Sequence, residues 1–179
     1  GSPESLDEAD RAFAERHPVV DIGANIGAFA RWASQRWKRS SIKCYEPQPS
    51  NYKHLKRTIN EFKLLDSADI ETFNVAVSSQ GGYGDLSFDG LNCGEWTLAP
   101  LDKPKAKVRV VIMDAVNMPD ADIIKIDTEG AEMDILERLD ECNYFLRGKK
   151  LFESCFFHIQ DLSLQGKDRL EFSISPLLC

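Results

Sequence analysis

The segment His17-Pro18-Val19-Val20-Asp21-Ile22-Gly23-Ala24-Asn25-Ile26-Gly27 constrains the fold more than any other part of the chain. Its short β-branched run favours an extended strand. The run ends in an acid and a turn containing Gly23 and Gly27, and Phe29, Ala33 and Trp37 then recur at steps of four, the spacing of an inward helix face. Strand, tight turn and helix in immediate succession form the unit with which open α/β sheets hold nucleotide-like ligands.

The remainder of the chain repeats that alternation. Ile42 to Tyr45 reads as a second strand, stopped at Glu46 because Pro47 and Pro49 cannot continue a ladder. Ser50 is the expected N-cap of a helix with Tyr52, Leu55, Ile59 and Phe62 on its apolar face. A third strand is expected over Ile70 to Val77 and an extra one over Asp85 to Phe88. An irregular loop over residues 89 to 106, able to cover a ligand, should follow. Val108 to Met113 reads as a strand inserted at or beside the sheet edge. Asp122 to Asp127 reads as a buried strand ending in acids, followed by a helix from Glu129 to about Leu139 that turns Ile135, Leu136 and Leu139 inward. Lys150 to Phe157 is the expected fifth core strand, Leu170 to Ile174 a last short one, and residues 5 to 16 an amphipathic helix. The fold class is therefore α/β, a doubly wound and mostly parallel sheet with helices on both faces.

At 179 residues a single domain spanning 1–179 is expected, with Gly1-Ser2 set aside as the remnant of a tag. No apolar run approaches the roughly 20 residues that span a bilayer. No basic-then-apolar leader opens the chain. The net charge of −7 argues against nucleic acid as a partner. The short basic cluster between Arg36 and Lys43 reads as a solvated helix end. The five cysteines are scattered without C-x-x-C or zinc spacing, which suits unpaired thiols in a reducing, cytoplasmic setting and gives no metal ligand set. His17, His54 and His158 form no evident site. A small-molecule partner and no membrane are expected, and a homo-oligomer is compatible with everything in the sequence.

Three clusters carry chemistry. In the first, Asp21 closes the strand, Gly23 and Gly27 spare the space a ligand needs, and Asn25 can hold the turn. The pattern is G-x-N-x-G, with Asn25 and Ala28 where a dinucleotide fingerprint has glycines. That argues against NAD and for S-adenosylmethionine. In the second, Glu46 ends the second strand 23 positions after Gly23, where a carboxylate can accept two hydrogen bonds from a ribose diol. The third is Asp122-Ile123-Ile124-Lys125-Ile126-Asp127-Thr128-Glu129-Gly130-Ala131-Glu132. Lys125 between isoleucines needs a partner, Asp127 falls at the strand's end, and Glu129 and Glu132 suit the start of a helix.

These blocks resemble the FkbM family of S-adenosylmethionine-dependent methyltransferases. The resemblance runs in order through Val20 to Gly27, Tyr45-Glu46-Pro47-Gln48-Pro49 with Leu55, Asn74-Val75-Ala76-Val77, and Ile124 to Glu132, covering residues 19 to about 139. It implies a class I methyltransferase fold, S-adenosylmethionine as cofactor, and O-methylation of a small molecule, sugar or polyketide-like acceptor. It also implies that Asp21, Gly23, Asn25 and Gly27 line the methionine and turn. Glu46 with Pro47 would meet the ribose, and Asn74 and Ala76 would lie near the adenine. After Leu139 the chain departs from the pattern, with a short and weakly patterned tail. An in-line displacement needs a base for the acceptor hydroxyl. Asp127 is the first choice, Glu129 the second, and Lys125 an orienting partner. A magnesium ion held by Asp127 and Glu129, a non-catalytic S-adenosylmethionine-binding module, and an RNA ribose methyltransferase stay open as alternatives.

Overall fold

The computed structural model describes residues 18–37, 40–63, 69–88, 96–98, 100–141 and 150–153. In chain order the elements are β1 (Val19–Ile22), α1 (Ala28–Arg36), β2 (Ser41–Tyr45), α2 (Pro49–Lys63), β3 (Asp69–Phe73), β4 (Ala76–Ser78), β5 (Gly82–Phe88), β6 (Trp96–Thr97), β7 (Ala106–Asp114), a 3-10 turn (Ala115–Asn117), β8 (Ile123–Ile126), α3 (Glu132–Glu141) and β9 (Lys150–Glu153). The expected helix over residues 5 to 16, the strand over 170 to 174, and residues 89–95 and 99 of the expected loop lie outside the described residues.

The main sheet has the order β3-β2-β1-β8-β9, with every neighbour parallel. Its central strands β1 and β8 are buried at every position, as near-continuous apolar runs in a doubly covered sheet should be. Alternation along the strands divides the core. Val19, Ile42, Ile70 and Ile123 pack under α1 and α2 through Ala30, Ala33, Leu55 and Ile59. Val20, Ile22, Ile124 and Ile126 pack under α3 through Ile135, Leu136 and Leu139. This is the doubly wound arrangement that the sequence implies. Strand order reverses between β1 and β8, so their carboxyl ends open a crevice there.

Several local expectations need correction. The inner row of α1 is Ala30, Ala33 and Ser34, with Trp37 at its end; Phe29 is only half-buried. Small residues in that row let the helix lie close to the sheet. Helix α2 starts at Pro49, not after Ser50, and Gln48 caps it. Gln48 Oε1 accepts from Asn51 N at 2.6 Å, and proline fits the first helical position because its missing N–H would be orphaned there anyway. Helix α3 starts at Glu132, since residues 128–130 form a turn held by the Glu132 side chain.

The largest difference lies between Ile70 and Val77. The predicted single strand is two, β3 in the main sheet and β4 in a second sheet of order β4-β7-β5-β6. The break falls at Asn74, whose side-chain amide donates to the Glu46 and Pro47 carbonyls at 2.8 and 3.0 Å and so turns the chain away from the ladder. Strand β7 is interior to this second sheet, parallel to β4 and antiparallel to β5. Its inner side packs Ala76, Leu86 and Val110 with Trp96, Leu98, Val108 and Ile112. The strands expected over Asp85 to Phe88 and Val108 to Met113 are both present, as Gly82–Phe88 and Ala106–Asp114, and they pair with β4 and the short β6 in a sheet of their own. The sequence hid this because β5 is glycine-rich and β6 contains two residues.

Asp114 joins the second sheet to α3. Its Oδ1 accepts from Val116 N at 3.1 Å, and Arg138 engages it in a fork, Nε to Oδ1 at 3.2 Å and Nη2 to Oδ2 at 3.1 Å. Arg138 holds the Asp114 carboxyl below the usual carboxylate range, with the Val116 N–H adding to the effect. A depressed carboxylate stabilises the fold above its unfolded pKa and ceases to do so as pH falls through the lower folded value. Arg138→Met should therefore lower the melting temperature at pH 7, and the gap to the wild type should close as pH drops below about 4. Melting curves from pH 7 to 3 check this, and a gap independent of pH would refute the pairing.

Gly23 sets the approach of the two central strand ends. It has φ 74°, and a Cβ there would sit 1.7 Å from the carbonyl oxygen of Asp127. A backbone oxygen cannot swing aside as a side chain can. Gly23→Ala should cost more than about 3 kcal/mol. Gly27→Ala should cost less, because the nearest obstacle is the end of the Leu55 side chain at 2.9 Å. Urea midpoints of the two variants give the ranking.

Candidate functional site

The carboxyl ends of the main strands are tied to one another before any side chain is considered. Gly23 N and Ala24 N both donate to Tyr45 O at 2.9 and 3.0 Å, Glu46 N to Phe73 O at 3.0 Å, and Asp127 N to Ile22 O at 3.0 Å. The glycines of the first turn are required, though not for the reason the motif suggests. The space beyond Gly23 is taken by Asp127 O and that beyond Gly27 by Leu55 and Thr58, so both serve internal packing. Gly23 still lines the cleft above the strand ends; Gly27 caps α1 with φ 92°.

That cleft encloses about 580 Å³, counting the open space at its mouth. One side is polar: Asn25, Glu46, Asn51, Asp127, Thr128 and Glu129. The other is apolar and comes from the second sheet and its approach: Val75, Ala76, Val77, Leu86, Trp96 and Leu98. Tyr45 and Pro47 complete the lining. Among the described residues no lysine, arginine or histidine lines it.

Glu46 is 5% exposed, and both carboxylate oxygens are aimed by backbone amides. Oε2 accepts from Asn25 N at 2.8 Å and Oε1 from Gln48 N at 2.9 Å. The first of these bonds ties the glycine turn to the end of β2. Asn25 reaches it with φ 49°, a left-handed conformation that asparagine tolerates better than most residues. Burial pushes the Glu46 carboxyl up, against the pull of the two amide bonds.

Asp21 does not reach the cleft. It is 0% exposed in the middle of the sheet, and its carboxylate pairs with the ammonium of Lys125, itself 6% exposed, at 3.0 Å. Burial raises the Asp21 carboxyl in spite of that partner, and Asp127 adds a smaller push. Lys125 Nζ also donates to Gly23 O at 2.7 Å and lies 3.5 Å from Asp127 Oδ2. The lysine between isoleucines thus has its partners, and they belong to the two loops that meet at the cleft. Cys44 faces the same polar cluster as a buried unpaired thiol, pushed well up by burial; the other cysteines lie outside the described residues.

Asp127, Thr128 and Glu129 follow β8 directly. Glu132 folds back over this turn: Oε1 accepts from Thr128 N at 2.7 Å and from Thr128 Oγ1 at 3.0 Å, and Oε2 accepts from Gly130 N at 2.8 Å. Of the residues singled out in the sequence, the fold brings Gly23, Asn25, Glu46, Pro47, Ala76, Asp127 and Glu129 to the cleft. Asp21, Gly27 and Lys125 stand behind it, and Asn74 supports it through the Glu46 and Pro47 carbonyls. Sequence reasoning missed Asn51 and the outer part of the apolar wall, Leu86, Trp96 and Leu98. Asn51 had a signal, since it sits in the first turn of a helix that starts at the cleft; Trp96 and Leu98 lie in the stretch expected to cover a ligand, but nothing singled them out within it. His54 is exposed on α2, away from this lining, and His17 and His158 lie outside the described residues. Among the described residues no group of three or more His, Cys, Asp or Glu side chains is disposed to hold a metal ion.

Comparison with known proteins agrees with this architecture. Residues 21–167 match the methyltransferase FkbM domain. Methyltransferase 1 of Beauveria bassiana (strain ARSEF 2860) is 25% identical over 168 residues, spanning 80% of this chain and 66% of that protein. Methyltransferase sdnD of Sordaria araneosa is 26% identical over 158 residues, spanning 69% of this chain and 60% of that one. The crystal structure of methyltransferase FkbM from Methylobacillus flagellatus KT shares the fold, with a TM-score of 0.55 and 17% identity over 78% of this chain and 32% of that chain. The chain therefore spans less than two-thirds of the relatives it matches. It belongs to the FkbM methyltransferase domain family.

Proposed function

We propose that the chain binds S-adenosylmethionine and transfers its methyl group to a hydroxyl of a small-molecule acceptor, sugar-like or polyketide-like. The observation that carries the reading is Glu46. Its two oxygens are oriented by the amides of Asn25 and Gln48, and each keeps a lone pair for a ribose hydroxyl. The turn amides support it from the other direction. In dinucleotide folds such amides hold a pyrophosphate. Here those of Gly23, Ala24, Asn25 and Gly27 are all engaged within the protein, and no cationic side chain lines the described cleft. The site suits a ligand that brings hydroxyl donors and positive charge, and suits phosphate poorly. The same argument weighs against RNA as acceptor.

S-adenosylmethionine in this cleft would supply an activated methyl carbon. The residues of the chain do the remainder. Glu46 would hold the ribose, Val75 and Ala76 would flank the base, and Gly23 with Asn25 would face the amino-acid end. Asp127 and Glu129, the carboxylates of the turn after β8, would take the acceptor's proton, a role worth roughly 10²–10⁴-fold in rate. Lys125 orients Asp127 and the Gly23 carbonyl from behind.

Calorimetric titration with S-adenosylmethionine, S-adenosylhomocysteine and NAD should show micromolar binding of the first two and none of the third. Glu46→Ala should weaken that binding more than about tenfold, as the loss of charge-assisted hydrogen bonds implies. The carboxylate is the binding form, so affinity should fall on acidification through a pKa above the ordinary glutamate value of about 4.3. Glu46→Gln should flatten that dependence. Equal binding by wild type and Glu46→Ala would remove the ribose assignment. Product release over a panel of hydroxylated sugars and phenols then tests turnover, and binding without any turnover would favour a non-catalytic module.

A further inference from the structure

Among the described residues, Asn25 and Glu129 are the non-glycine residues with positive φ, and both line the cleft. Asparagine reaches that conformation at little expense. Glutamate does not, and at φ 55° it disfavours the folded state by about fivefold to thirtyfold. Such strain persists only where neighbours over-determine the backbone. The neighbour here is Glu132, whose carboxylate binds the amides on either side of Glu129, those of Thr128 and Gly130. A simple helix cap would bind amides of its own first turn. This one reaches back and straddles a single residue, Glu129, which is exposed and lines the cleft.

We propose that Glu132 is a positioning residue that clamps Glu129 in its left-handed conformation, and that Glu129 is the carboxylate that takes the acceptor's proton. The inference rests on the methyltransferase reading. In the transfer the acceptor oxygen bonds to the methyl carbon, the carbon–sulfur bond breaks with its electron pair left on a neutral sulfur, and the hydroxyl proton moves to Glu129. Exposure lets Glu129 pass that proton to water. Asp127 is half-buried and held 3.5 Å from the Lys125 ammonium, an arrangement suited to fixing the two loops.

The test compares wild type, Glu129→Gly, Glu132→Ala, Glu132→Gln and the Glu129→Gly/Glu132→Ala double variant. Thermal unfolding without ligand reads the clamp. Glu129→Gly should melt a few degrees higher than wild type, because glycine takes positive φ freely. Glu132→Ala should melt lower, and by less when residue 129 is already glycine. Methyl transfer from S-adenosylmethionine to the hydroxylated panel reads the chemistry. Glu129→Gly should lose about 100-fold in kcat. Glu132→Ala should lose at least tenfold and Glu132→Gln less, with S-adenosylhomocysteine affinity held within about threefold in all of them. In the double variant the Glu132 change should cost no further activity, since residues acting as one unit are not additive. A lower melting temperature for Glu129→Gly overturns the proposal, as do wild-type kcat in Glu132→Ala or additive losses in the double variant. Failure of the wild type to bind S-adenosylmethionine, or to turn over any panel member, overturns the methyltransferase reading and this inference with it.

Discussion

The ammonium of Lys125 is the point on which the architecture of the cleft depends. It sits on a strand whose neighbours are isoleucines, inside a sheet covered on both faces, where an unpaired charge would be untenable. Its contacts are with Asp21 at 3.0 Å, the Gly23 carbonyl at 2.7 Å and Asp127 at 3.5 Å, so it touches β1, the turn after β1 and the turn after β8 at once. Removing one member of a buried pair of this kind typically costs about 3–5 kcal/mol, because the other is left charged or must take up a proton. The rise in the Asp21 carboxyl points the same way: burial outweighs even a direct lysine contact. The polar cluster is better understood as a registration device for the two loops than as a source of net stability.

With those loops in register, the other requirements follow. Asp127 O comes so close to residue 23 that only glycine fits. The turn then continues through Asn25 at φ 49°, which delivers its amide to Glu46. Glu46 is thereby fixed between β1 and β2, and Asn74 secures the backbone beside it from β3. Each strand end thus contributes polar links to its neighbour. The apparent ligand motif is therefore largely an internal brace that leaves one carboxylate, suitably aimed, at the surface of the cleft.

This explains what the sequence disclosed and what it did not. Strand runs such as Val19–Ile22 and Ile123–Ile126 are legible because burial on both faces demands unbroken apolar residues. The position of Glu46 is legible because its place at a strand end is set by the prolines that follow. Asn74 was invisible as a strand breaker: its effect comes from bonds to carbonyls 27 and 28 positions away, which local propensity cannot register. The second sheet was missed for a related reason, since its ladder pairs residues such as Tyr83 with Val111 across a long, weakly patterned connection. Glu132 looked like an ordinary acid at a helix start, and only its hydrogen bonds back to Thr128 and Gly130 distinguish it.

The second sheet also gives the cleft its two-sided character. The carboxylates and amides lie on loops of the main sheet, while Leu86 and Trp96, with Leu98 just after β6, oppose them from a sheet that the doubly wound plan does not require. On the reading proposed above, an acceptor seated between these walls would meet both, with a donor group for the Asp127–Glu129 side and an apolar body against the leucines and tryptophan. The chain's net charge of −7 acts over long range and is screened by salt, whereas the groups lining the cleft act at contact distance. Trp96 is itself stacked on Phe88 at 5.3 Å between ring centres, so the apolar wall is preformed. A wall already ordered imposes little further entropy loss when a flat apolar surface meets it.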